Sequence, residues 1–112
     1  IIRYEKALHH HKGFKQAIIN LSTAYMKNKR FDKALEMLQA GQKKFPEDPL
    51  IDYNLACYYS LTENLGPGLS ALQKAVEKGY KQFKQMETDP DLNNLRQSGE
   101  YKAWKKKSRT TI

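Results

Sequence analysis

Two stretches of this chain repeat each other at a separation of 34 residues. Leu21 and Tyr25 recur as Leu55 and Tyr59, Leu38 as Leu72, and the small Gly41 as the small Ala75. A fixed period of a few tens of residues marks an array in which each unit buries its apolar face only against its neighbours. Composition agrees with that demand. In 112 residues, 39% are apolar and 29% charged, with a mean hydropathy of -0.82, which supplies narrow apolar stripes rather than a thick core. A single compact domain of this size would withdraw roughly 65% of its unfolded surface from water, and an array withdraws less through long-range contacts.

Apolar residues fall three and four apart in four stretches: Ala17, Leu21, Ala24, Tyr25; Phe31, Ala34, Leu35, Leu38; Ile51, Leu55, Ala56, Tyr59; and Leu69, Leu72, Ala75, Val76. These are stripes of amphipathic helices, and no period-2 alternation competes with them. Asp48-Pro49 and Asp89-Pro90 are helix starts, since Asp accepts first-turn N–H groups and Pro at the first position loses nothing by lacking its own. Breaks fall at Lys27-Asn28-Lys29-Arg30, at Pro46-Glu47-Asp48 and at Gly66-Pro67-Gly68, the last read as a hairpin turn. The pattern predicts an all-α chain with helices near 2–11, 14–28, 31–44, 48–61, 66–78, 80–87, 90–97 and 99–107. Neighbours joined by so few residues form antiparallel hairpins.

The positions that recur also carry a resemblance. Residues 15–48 hold Ile18-x2-Leu21-Ser22-x2-Tyr25, Ala34-x3-Leu38 and Pro46; residues 49–82 hold Asp52-x2-Leu55-Ala56-x2-Tyr59 and Gly68-x3-Leu72, with Tyr80 in place of the Pro. Both stretches resemble the tetratricopeptide repeat. Tyr4-x2-Ala7 is similar to the second helix of a preceding repeat. The segment from Gly79 to Trp104 resembles the closing segment of many bacterial proteins of that family. The resemblance implies a right-handed α-solenoid of helix-turn-helix hairpins. Its parts would be the second helix of a truncated repeat (1–12), two repeats (15–48 and 49–82), C-terminal cap helices (83–107) and a tail (108–112). A small residue at Ala34 lets the hairpin close, with Leu21, Tyr25 and Leu38 filling its seam. Asp52 departs from the pattern, which favours a large apolar residue there, and is expected to loosen the first turn of its helix. Phe83, Leu92, Leu95, Tyr101 and Trp104 are expected to cap the last hairpin.

The resemblance implies a protein-interaction or scaffolding module whose first helices line a concave groove. Carried onto this sequence, the groove positions are Gln16, Ile19, Asn20, Thr23 and Lys27, then Leu50, Tyr53, Asn54, Cys57 and Ser60. The bland alternative for Asn20 and Asn54 is that they are solvated surface or cap positions. Asn20 and Asn54 stand 34 apart, and each offers a donor and an acceptor to a peptide backbone. A subset of the family grips a C-terminal carboxylate with Lys and Arg; Ile19, Thr23, Leu50 and Tyr53 occupy the matching places here, so no such clamp is expected. Tyr53 is expected to pack on a partner side chain.

The formal charge of +8 is uneven. Residues 1–44 hold ten Lys/Arg against three Asp/Glu, residues 45–65 none against four, and residues 66–112 ten against five. The basic run Lys105-Lys106-Lys107-Ser108-Arg109 beside Trp104 supports the alternative reading, an accessory nucleic-acid or anionic-surface binder. Five residues at a chain end favour a solvated tail instead. His9, His10 and His11 point about 100° apart on a helix and do not converge on one ion, so neither metal nor other cofactor is expected. A single cysteine, Cys57, rules out an intrachain disulfide and reads as a small packing residue. No G-x-S-x-G, H-E-x-x-H or phosphate-cradling loop occurs, and the chain is read as no enzyme. No apolar run reaches ~18 residues and no signal peptide opens the chain, so cytoplasm and periplasm both remain open. The start at Ile1, inside a helical pattern, reads as the front of a clipped fragment. The uncovered stripe of Ile1, Tyr4, Ala7 and Leu8 is expected to favour self-association.

Overall fold

The computed structural model describes residues 11–110, with side chains for 14–107. The expected helix at 2–11, its apolar stripe and the side chains of the histidine run lie outside the described residues. Seven α-helices follow in order, with a 3-10 turn between the fifth and sixth. They are α1 (His11–Lys27), α2 (Phe31–Lys44), α3 (Pro49–Leu61), α4 (Leu65–Glu77), α5 (Phe83–Thr88), the 3-10 turn Pro90–Leu92, α6 (Asn93–Arg96) and α7 (Gly99–Thr110). No strand occurs among the described residues. Each helix pairs with the next, α1 with α2 and α3 with α4, while α3 meets both α1 and α2. The result is an all-α, right-handed solenoid of antiparallel hairpins. α1 is already helical at His11 and continues through Gly13, where a break was expected at residues 12–13.

The 34-residue period is visible in the turns. Lys29 (φ 59°) and Glu63 (φ 61°) are both left-handed. Lys29 N–H donates to Met26 O at 3.0 Å and Arg30 N–H to Tyr25 O at 2.8 Å; Glu63 N–H donates to Ser60 O at 3.1 Å and Asn64 N–H to Tyr59 O at 2.8 Å. This is a Schellman ending, which satisfies the last carbonyls of a helix and turns the chain back on itself. Gly79 (φ 111°) ends α4 the same way, with Tyr80 N–H on Ala75 O at 2.9 Å. Reversal between α3 and α4 therefore falls at residues 62–64, and Gly66-Pro67-Gly68 is not the turn expected of it. Those residues lie in the first turn of α4, where Pro67 loses no hydrogen bond because first-turn N–H groups have no intrahelical acceptor. Asp48 and Asp89 cap as expected, accepting from Leu50 N–H at 2.9 Å and Asp91 N–H at 3.0 Å.

Ile18, Ala34, Leu38, Ile51, Ala56, Leu72 and Ala75 form the buried seam. Leu21 and Tyr25 are only half-buried, and Ile18 and Met26 seal α1 instead. Gly41 is required by close approach: a Cβ there would lie 2.9 Å from Ile18 Cγ2 and 3.1 Å from Ile51 Cδ1. Asp52 does not loosen α3. It is 1% exposed, with its Oδ2 2.6 Å from Lys78 Nζ at the end of α4 and its Oδ1 accepting from Gln42 Nε2 of α2 at 3.4 Å. A polar residue thus joins three helices where an apolar one was expected to pack.

Beyond α4 the chain folds onto the last hairpin. The 3-10 turn and α6 pack on α3, and α6 and α7 on α4. Met86, Leu92, Leu95 and Tyr101 are buried. Phe83, expected in this cap, is 46% exposed, and Met86 one turn later takes the inward place. Trp104 is half-buried edge-on to Tyr101. Ser98 Oγ accepts from Tyr101 N–H at 3.2 Å and so starts α7, which runs on to Thr110 past the expected end at 107. The basic run is therefore helical through Arg109, and Lys105 pairs with Glu87 at 2.8 Å.

Candidate partner-binding groove

α1 and α3 lie side by side and present a common face. Residues 80–95 form a wall along it. The turn at Gly79 directs Tyr80 onto Tyr53, ring centroids 4.5 Å apart and planes 14° from parallel. Tyr53 OH donates to Asp89 Oδ2 at 2.7 Å, which ties α3 to the start of the 3-10 turn. Further along, Ser60 receives two bonds from the wall. Its Oγ accepts from Leu95 N–H at 3.1 Å, and its carbonyl from Asn94 Nδ2 at 3.0 Å.

Between α1, α3 and this wall lies a cavity of about 250 Å³. Six of the ten expected groove residues line it: Ile19, Thr23, Leu50, Tyr53, Asn54 and Cys57. The other four are elsewhere. Gln16 and Asn20 are exposed and bonded to each other, Nε2 to Oδ1 at 3.0 Å, and Lys27 is exposed. Ser60 is fully buried in the joint with the wall and has no surface for a partner. Two of the six lining residues are also largely taken up by the fold. Tyr53 is 3% exposed and packs on Tyr80, not on a partner side chain, and Cys57 is 3% exposed. Thr23 is half-buried, its hydroxyl donating to Ile19 O at 2.8 Å. What remains presented is Leu50, 41% exposed, with Ile19, Thr23 and Asn54.

The wall contributes residues that sequence reasoning did not place here, among them Tyr80, Gln85, Asp89 and Asp91. Tyr80 was legible as a departure from the repeat pattern and Asp89 as a helix start. Neither signal says which earlier helix the segment meets.

The electrostatics of the cavity are set by two half-buried carboxylates. Cys57 Sγ and one oxygen each of Asp89 and Asp91 lie within 4.8 Å of one another. Burial raises the Asp91 carboxyl above its ordinary range, Asp89 adds to the rise, and the charge of Lys27 opposes it. Burial also pushes the Cys57 thiol up, with Asp89 and Asp91 adding to it, so the thiol stays protonated. Tyr53 is raised by burial and by its bond to Asp89. One soft sulfur beside two hard carboxylate oxygens is a mixed donor set that matches no single class of metal ion well. Asn54 lines the cavity, and its Nδ2 is buried with no hydrogen-bond acceptor among the described residues.

A model of the tetratricopeptide repeat family matches residues 3–56. A curated relative, a chloroplastic protein of Arabidopsis thaliana, is 40% identical over 80 residues, covering 69% of this chain and 24% of the relative. The chain thus spans about a quarter of that relative's length. No solved structure matches the chain significantly. Among the described residues, no helix is long and apolar enough to cross a membrane. Hairpins that recur every 34 residues, together with a match to the family's own pattern, lead to one conclusion: this chain belongs to the tetratricopeptide repeat family.

Proposed function

We propose that the chain is a non-catalytic protein-interaction module that holds an extended segment of a partner along the common face of α1 and α3, against the wall formed by residues 80–91. Its units on this reading are the repeats 15–48 and 49–82, closed by the cap at 83–107. Membership of a family of interaction modules supports the class of activity. The observation that carries the site is Asn54, whose buried Nδ2 lacks an acceptor among the described residues. A buried donor left unmade costs about 1–3 kcal/mol, and a peptide carbonyl would satisfy it once the Asn54 side chain turns out toward the groove, since its Nδ2 has no exposed surface of its own. Leu50, exposed beside it, offers the apolar contact.

Selection of phage-displayed peptides on the immobilised chain tests this. Selected peptides should lose about tenfold or more in affinity on Asn54→Ala, a smaller factor on Asn20→Ala, and little on substitutions of α2 or α4. Tyr53→Ala does not isolate the groove, because Tyr53 also holds the wall. Peptides that bind Asn54→Ala as tightly as the parent would contradict the reading. The alternative, phosphate recognition by the basic run of α7, predicts binding of random-sequence DNA that collapses between about 50 and 200 mM salt.

A further inference from the structure

The cavity is too small for a helix and has room for one long side chain. Its far wall is acidic, with Asp89 and Asp91 oxygens within 4.8 Å of each other. Asp89 is held in place by Tyr53 OH at 2.7 Å and Asp91 N–H at 3.0 Å. Asp91 is half-buried, and its carboxyl is raised by burial and by Asp89. Two like charges held close and partly out of water are each relieved by a cation placed between them. The positive groups already near do not fill that role. Lys27 is exposed and only partly offsets the rise; the charge of Arg96 reaches Cys57, but its guanidinium donates to Met86 O at 2.9 Å, and among the described residues neither cation forms an ion pair with Asp89 or Asp91. Leu50 and Ile19 line the cavity and suit an aliphatic stem, and Asn54 lines it too, with its orphaned Nδ2 buried behind the surface.

We propose that the cavity receives a lysine or arginine side chain of the partner segment, with its cationic head against Asp89 and Asp91, its stem along Leu50 and Ile19, and its main-chain carbonyl taken by Asn54 Nδ2 as that side chain turns outward. Charge complementarity and an unfilled donor in one cavity argue for this occupant over an acidic or purely apolar one. The inference rests on the groove reading and specifies the side chain that the groove selects.

The test is an NMR titration of the ¹⁵N-labelled chain with N-acetyl-lysine N′-methylamide, and with the arginine, norleucine and glutamate counterparts. The lysine and arginine probes should shift the Asn54 side-chain amide and the Asp89 and Asp91 backbone amides saturably, roughly fivefold or more tightly than norleucine. Asp91→Asn should weaken the lysine probe by about fivefold, and Lys27→Met should strengthen it. Equal binding of norleucine and lysine, a preference for glutamate, no saturable shift from the lysine and arginine probes, or an unchanged lysine affinity in a folded Asp91→Asn chain would overturn the proposal. Selected peptides that depend on Asn54 but lack an enriched Lys or Arg would overturn the cation while leaving the groove. Peptides indifferent to Asn54, together with a lysine probe that still binds the cavity, would do the reverse.

Discussion

Lys78 reaches from the end of α4 to within 2.6 Å of Asp52 on α3, and that carboxylate side chain is only 2% exposed. Removing one partner of such a pair strands a buried charge, whereas replacing both with apolar groups removes the desolvation cost as well. Lys78→Met should therefore destabilise the chain by roughly 2–3 kcal/mol, less than for a fully sealed pair, and Asp52→Leu with Lys78→Met should recover most of it in urea unfolding. Lys29 and Glu63 sit at φ 59° and 61°, which costs an L-residue roughly 1–2 kcal/mol and glycine little. Lys29→Gly and Glu63→Gly should each stabilise by up to about 1 kcal/mol after glycine's extra chain entropy. Asp91 adds a pH dependence. Its carboxyl is raised in the folded chain above the ordinary 3.8, so folding favours the protonated form and the ionised group opposes folding at neutral pH. Asp91→Asn should melt higher than the parent at about pH 7. The difference should shrink as pH falls through the raised value and vanish below 3.8.

The C-terminal segment is the element on which the groove depends. Its bonds to α3 join residues 34 to 36 apart, Ser60 with Asn94 and Leu95 and Tyr53 with Asp89, so it sits where the first helix of a third hairpin would lie. Leu95 is fully buried, and Leu95→Ala should cost about 2–5 kcal/mol. The same change should speed alkylation of Cys57, which is 3% exposed and held protonated, and which otherwise reacts only on unfolding. Unchanged alkylation in the destabilised variant would mean that the wall does not shield α3. Helices α1 to α4 were legible because three-and-four spacing and the Asp-Pro caps are local signals. A cap with Leu92 and Leu95 turned inward was legible too; that residues 80–95 lie against the groove side of α3 was not, since they show no long stripe and their placement is decided by tertiary bonds to α3. For the same reason Tyr53, Cys57 and Ser60 read as groove positions. They face where the groove would continue, and residues 80–95 occupy that space. Asp52 misled differently, because its partner Lys78 is 26 residues away.

At the scale of the whole molecule, two hairpins and a cap leave one face of α1 and α3 open among the described residues and close its end with an acidic, amide-lined cavity. The outer helices α2 and α4 bring Ala34, Leu38, Leu72 and Ala75, all completely buried, to the seam they share with Ile18, Ile51 and Ala56 of α1 and α3. Ala34→Leu should overpack that seam and cost roughly 1–3 kcal/mol in thermal melting. On the proposed reading α1 and α3 hold the partner on one face and the core on the other, and a bound peptide should report which face is used. The decisive measurement is chemical-shift mapping of a selected peptide on the ¹⁵N-labelled chain. Perturbations confined to α1, α3 and residues 80–91, centred on Asn54, are the result predicted here, and perturbations centred on α2, α4 or the basic end of α7 would contradict it.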